Sequence, residues 1–115
     1  MFTLSSSNRF FLYQEPTDMR KGFDSLSGLI RNKMKADPLD GAVYIFMNKN
    51  RTLIKLLHWD KTGFTLYYKR LERGVFERPV GGQNSQISWQ KLMLIVSGIR
   101  LDSVRKKVRY KLVKK

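Results

Sequence analysis

The chain has 115 residues, of which 42% are apolar; that is one domain with enough material for a core. It has no cysteine, which excludes disulfides and thiolate metal sites, no apolar run near the roughly 20 residues of a membrane span, and no signal-peptide pattern in residues 1–8. Its 23 Lys and Arg against 9 Asp and Glu give a net charge of +14, beyond the magnitude of about 2–8 that suits a soluble small domain, so a polyanionic partner is expected, nucleic acid ahead of an anionic membrane.

In chain order, residues 9–14 (RFFLYQ) suit a short aromatic-rich strand that Pro16 ends. Thr17 is placed as the N-cap of a helix over residues 18–35, where Met19, Phe23, Leu26, Ile30 and Met34 recur at steps of three and four. Asp37-Pro38 and Asp40-Gly41 close it as a loop. Three strands follow, over 42–48, 52–59 and 64–71, joined by turns at 48–51 and 60–63 that are short enough to force antiparallel neighbours. Residues 72–85 read as irregular, broken by Gly74, Pro79 and Gly81-Gly82. Ser88 is the expected N-cap of a second helix, with Trp89, Leu92, Met93, Val96 and Ile99 on one face and Gly98 ending it. Residues 100–115 hold eight basic residues and one acid, half of the net surplus. They fit a helix, a strand, or a segment that orders on a partner. The predicted class is α+β: a mainly antiparallel sheet with a three-stranded meander, one N-terminal strand and two helices. One domain is expected over 1–99, with a basic C-terminal tail over 100–115.

Four-residue turns set a register. They predict Trp59 opposite Phe64, Leu57 opposite Leu66, Lys55 opposite Tyr68 and Leu53 opposite Arg70, and, across the other hairpin, Met47 opposite Thr52 and Tyr44 opposite Lys55. One face then carries Val43, Ile45, Met47, Ile54, Leu56, His58 and Tyr67, and should take a helix. The other carries Tyr44, Phe46, Leu53, Lys55, Leu57, Trp59, Tyr68 and Arg70. Two readings of that second face stand. Tyr44, Lys55, Tyr68 and Arg70 could form a nucleic-acid platform, rings on bases and cations on phosphates. Alternatively the face is a second hydrophobic layer under the other helix, with Lys55 and Arg70 reaching outward; the number of apolar groups needing cover favours this.

Catalysis finds little support. The nine acids do not cluster in a metal-binding pattern, the single histidine, His58, has no evident nucleophile beside it, and Gly81-Gly82 lacks the Lys and Ser/Thr of a phosphate-binding loop. No enzyme activity, metal or cofactor is expected.

Three segments carry a resemblance: FFLYQEPTDMRKGFDSLSGLI (10–30), KLLHWDKTGFTLYYKRLERGVFE (55–77) and ISWQKLMLIVSGI (87–99). Together they resemble the accessory protein of the insertion-sequence-sixty-six class of bacterial transposable elements, the product of the second reading frame, often labelled TnpB. The most specific parts are the quartet Asp18-Met19-Arg20-Lys21 and the run from Trp59 to Gly74. The resemblance implies a role in DNA transposition beside a separate catalytic transposase, and no catalytic site.

The expected partners are duplex DNA, including element ends, the element's transposase and a second copy of the chain, but no membrane; the expected location is cytoplasmic and nucleoid-associated. The candidate DNA contacts are Arg20 and Lys21 of the first helix, the sheet residues Tyr44, Lys55, Tyr68 and Arg70, and Arg105, Lys106, Lys107, Arg109 and Lys111 of the tail. Six engaged tail cations would give a logarithmic salt slope of about −5. The alternative is an adaptor that docks on the transposase without touching DNA.

Overall fold

A computed structural model describes residues 4–79 and 86–98. Its elements are β1 (Phe10–Leu12), α1 (Phe23–Asn32), β2 (Val43–Met47), β3 (Leu53–Trp59), β4 (Phe64–Arg70), β5 (Gln86–Ile87) and α2 (Trp89–Val96). The five strands form one sheet in the order β4-β3-β2-β1-β5. All neighbours are antiparallel except β1 and β2, which run parallel. A parallel pair needs a crossover, and α1 supplies it. The α+β class, the meander and both helices match the sequence reading.

The β3–β4 register is the expected one, from Trp59 opposite Phe64 to Leu53 opposite Arg70. Asp60 fixes it: its carboxylate accepts the backbone N–H groups of Thr62 and Gly63 and the Thr62 hydroxyl. The β2–β3 hairpin is shifted by two residues from the expected register. Lys55 lies opposite Phe46, and Tyr44 opposite Leu57. The cause is Asn48, whose side-chain oxygen accepts from the N–H groups of both Thr52 and Leu53 at 2.9 and 3.0 Å. The turn therefore spans 49–52, with Arg51 in the left-handed region. An even shift keeps every side chain on its own face.

Helix α1 starts five residues later than the periodicity suggested. Thr17 does not cap it; Thr17 is buried and its N–H donates to the Met47 carbonyl at 2.8 Å, so the chain still follows β2 there. Asp18 instead organises a turn, and Gly22 stands at the N-cap without a side-chain bond. At α2 the expectation holds: the Ser88 hydroxyl accepts from the Lys91 N–H, and Gly98 follows the helix at φ +76°. Strand β5, only two residues long, carries too little pattern to be read from sequence.

Each sheet face is covered by one helix. On one, Phe10, Leu12, Val43, Ile45, Met47, Ile54 and Leu56 pack with Leu92 and Ile95 of α2 and with Phe76. On the other, Tyr44, Phe46 and Leu57 pack with Leu26 and Ile30 of α1. The second hydrophobic layer is therefore real.

Candidate nucleic-acid interface

Strand β3 alternates, and its α1-facing row places Lys55 between Leu53 and Leu57. The side chain is buried, 6% exposed. Its ammonium donates to the carbonyl of Met19 at 2.6 Å and to that of Lys21 at 2.8 Å. It also lies 4.6 Å from the centroid of the Tyr68 ring, within cation–π range. Burial pushes its pKa down, opposed by the charge of Asp18. Two carbonyls and a ring face compensate a cation that would be costly to bury alone.

The turn held by Lys55 has its own brace. Asp18 accepts the Arg20 backbone N–H at 2.9 Å and its guanidinium at 2.6–3.1 Å, and its carbonyl accepts from the Lys21 N–H. The Arg20 hydrogen bonds hold the Asp18 carboxyl down at about 2.

One ammonium thus joins the Asp18–Lys21 turn to the Tyr68 ring. Around it stand Arg20 and Lys21 on the turn, and Tyr68, 53% exposed, on β4. Arg70 is exposed two residues along the same row and pairs with exposed Glu72 at 2.9 Å. Leu53, Tyr68 and Arg70 line a shallow depression. Phe23 is also exposed and stacks on Phe64 at 6.5 Å. Exposed aromatic groups and cations therefore share one border of the α1-covered face.

Two of the residues proposed from sequence do not belong to that surface. Tyr44 is 2% exposed, its hydroxyl donates to the Asp40 carboxylate at 2.8 Å, and Phe11 stacks on its ring at 5.8 Å. Burial raises its phenol pKa, helped by the Asp40 bond. The pleat aims Tyr44 at α1, so no base can reach it. Lys55 is likewise enclosed, its ammonium engaged by the Met19 and Lys21 carbonyls. Arg20, Lys21, Tyr68 and Arg70 remain on the surface. Arg105, Lys106, Lys107, Arg109 and Lys111 lie outside the described residues. Phe23 was missed because the periodicity assigns it to the helix's buried stripe. The Lys55 clamp had one signal in the sequence, a lysine flanked by Ile54 and Leu56 in mid-strand.

Among the described residues no group of His, Asp and Glu could hold a metal ion, and no helix is long and apolar enough to cross a membrane. The family model described as "IS66 Orf2 like protein" matches residues 8–106. The chain belongs to the IS66 Orf2-like family. Membership ties it to the transposition of an insertion element, in an accessory part and not a known catalytic one. Two relatives come from Sinorhizobium fredii. "Uncharacterized protein y4hO" is 39% identical over 84 residues, covering 72% of this chain and 73% of the relative. "Uncharacterized protein y4jC" is 30% identical over 100 residues, covering 86% of each. No solved structure matches the chain. The family match spans the braced turn, the meander and α2.

Proposed function

We propose that this IS66 Orf2-like protein is a non-catalytic DNA-binding factor that works beside the element's transposase. The observation that carries the reading is the Lys55 ammonium, which gathers Arg20, Lys21, Tyr68 and, beyond it, Arg70 at one surface of a chain with a net charge of +14. The carboxylates now paired with Arg20 and Arg70 are exposed, and such pairs contribute little. A phosphate offers either guanidinium a charge-assisted partner of equal geometry. Tyr68 offers its face to an unstacked base. The basic segment 100–115 adds counterion release, which raises affinity without reading sequence.

The test is titration of labelled duplex, including element ends, at two salt concentrations. Affinity should fall steeply with salt, with a logarithmic slope of about −5 if six tail cations engage. Removing residues 100–115 should flatten that slope. Tyr68→Ala should cost about 1–3 kcal/mol of binding to single-stranded or distorted DNA. Absence of binding at low salt overturns the reading. The exposure of Phe23 and Tyr68 supports a second reading, an adaptor surface for the transposase. A complex with transposase that persists in high salt without DNA would favour it.

A further inference from the structure

Strand β4 lies at the end of the sheet, and among the described residues no strand pairs with its outer side. The hydrogen-bond phase of that edge follows from its two ends. The Asp60 N–H donates to the Gly63 carbonyl at 3.1 Å, and the Leu71 N–H to the Thr52 carbonyl at 2.9 Å. With unbroken pairing between them, Thr65, Tyr67 and Lys69 turn their backbone groups toward β3. Phe64, Leu66, Tyr68 and Arg70 turn theirs outward. Seven residues without proline or bulge form a long, regular edge, and edges of that kind recruit another strand unless they are protected. Of the two cations of the strand, Lys69 is turned away, its ammonium donating to the Val96 carbonyl of α2 at 2.8 Å, and Arg70, at the strand's end, pairs with Glu72.

We infer that β4 is a docking edge for the β4 of a second copy of this chain, paired antiparallel about a two-fold axis at Tyr67. The sequence of the strand is complementary to itself in that register. Phe64 meets the partner's Arg70, Thr65 meets the partner's Lys69, and Leu66 meets the partner's Tyr68. Each cation lies opposite a neutral residue, and Arg70 reaches an aromatic ring. The four outward residues become the hydrogen-bonded pairs, and Tyr67 faces the partner's Tyr67 in a non-hydrogen-bonded pair. Tyr68, half-exposed on one face, gains Leu66 of the second copy as a neighbour. On the other face lies a groove lined by Leu56, Tyr67, Trp89, Met93 and Val96, which is continued by the second copy. The dimer is a ten-stranded sheet with two identical Arg20–Tyr68 patches on the same side, so it is compatible with DNA binding but does not depend on it.

The chain has no cysteine, so a single introduced one reports only its own position. In a non-hydrogen-bonded antiparallel pair the Cα atoms are about 4.5 Å apart, within disulfide reach. Under mild oxidation Tyr67→Cys should form a covalent dimer roughly tenfold faster than Thr65→Cys, which lies opposite Lys69 and not opposite itself. Sedimentation of the unaltered chain without DNA should show a dimer that tightens from about 0.1 to about 0.5 M salt, as repulsion between two highly basic copies is screened. That trend is opposite to the one expected of DNA binding, so the two readings fail separately. Thr65→Glu should tighten the dimer roughly threefold and Thr65→Lys weaken it by a similar factor, through the cross-strand pair with Lys69. Sedimentation and the Thr65 series decide the matter even if Tyr67→Cys fails to fold. A monomer at high micromolar concentration in both salts, equal cross-linking at positions 65 and 67, or a dimer indifferent to Thr65 substitution would overturn the inference.

Discussion

The two faces of the sheet are each covered by one helix, yet they are built differently. Under α2 the cluster is wholly apolar, from Phe10 and Ile45 to Phe76 and Ile95. Under α1 the layer admits a lysine ammonium and a tyrosine hydroxyl, each given partners, and its margin carries exposed Phe23 and Tyr68. The α2 face is apolar inside and opens into the groove beside Tyr67 at its β4 margin. A face with a satisfied cation at its border can also hold a surface turn at a fixed distance from an exposed ring. Function is therefore to be sought at the α1 border, where local rules of burial are broken and then compensated.

The sharpest way to break this contrast is Phe76→Ala on the α2 side. Phe76 is fully buried, so the variant should lose about 3–5 kcal/mol in chemical denaturation. The fraction that remains folded should bind DNA as the parent does; weaker binding per folded molecule would show that the faces are not separable. Lys55→Met tests the α1 side. It keeps the packed stem but leaves the Met19 and Lys21 carbonyls without their donor. Stability should fall by about 1–3 kcal/mol. DNA affinity should fall severalfold although Lys55 itself reaches no phosphate, because the turn is released.

A smaller effect is expected from Tyr44→Phe, about 1 kcal/mol, since Asp40 loses the hydroxyl but keeps the Ala42 N–H. Its DNA affinity should not change, because Tyr44 is enclosed. Altered affinity in a calorimetric titration would return Tyr44 to the interface. The smallest effect concerns pH. The Asp18 carboxyl is held at about 2 by Arg20, below its ordinary value, so the brace is complete above the unfolded value and is lost as pH falls through about 2. A carboxyl NMR titration should find that midpoint in the parent and a higher one in Arg20→Gln, still below the ordinary Asp value because the backbone N–H at position 20 and the charge of Lys21 continue to act on it.

Much of this was legible in the sequence because it depends on neighbours along the chain. Asp60-Lys61-Thr62-Gly63 fixes one hairpin through a single carboxylate, and the β3–β4 register followed correctly. Ser88 and Gly98 bound α2 by local capping. The errors have local causes that compete with a regular pattern. Asn48 closes the first turn one residue later than expected, so that it spans 49–52 in place of 48–51. Asp18 binds Arg20 and turns the chain before the apolar period of α1 can begin as helix.

The class of fold, the two-sided alternation of the meander, the family and the excess of positive charge could all be read from residue order or count. Which member of an apolar-facing row is enclosed and which is open depends on packing between elements distant in sequence. Tyr44 and Tyr68 follow the same alternation on the same face, and they differ only in that one sits in an inner strand beneath α1 and the other in the edge strand beyond its cover. Helix placement over a sheet is a long-range packing outcome, and no short stretch of sequence encodes where its shadow ends.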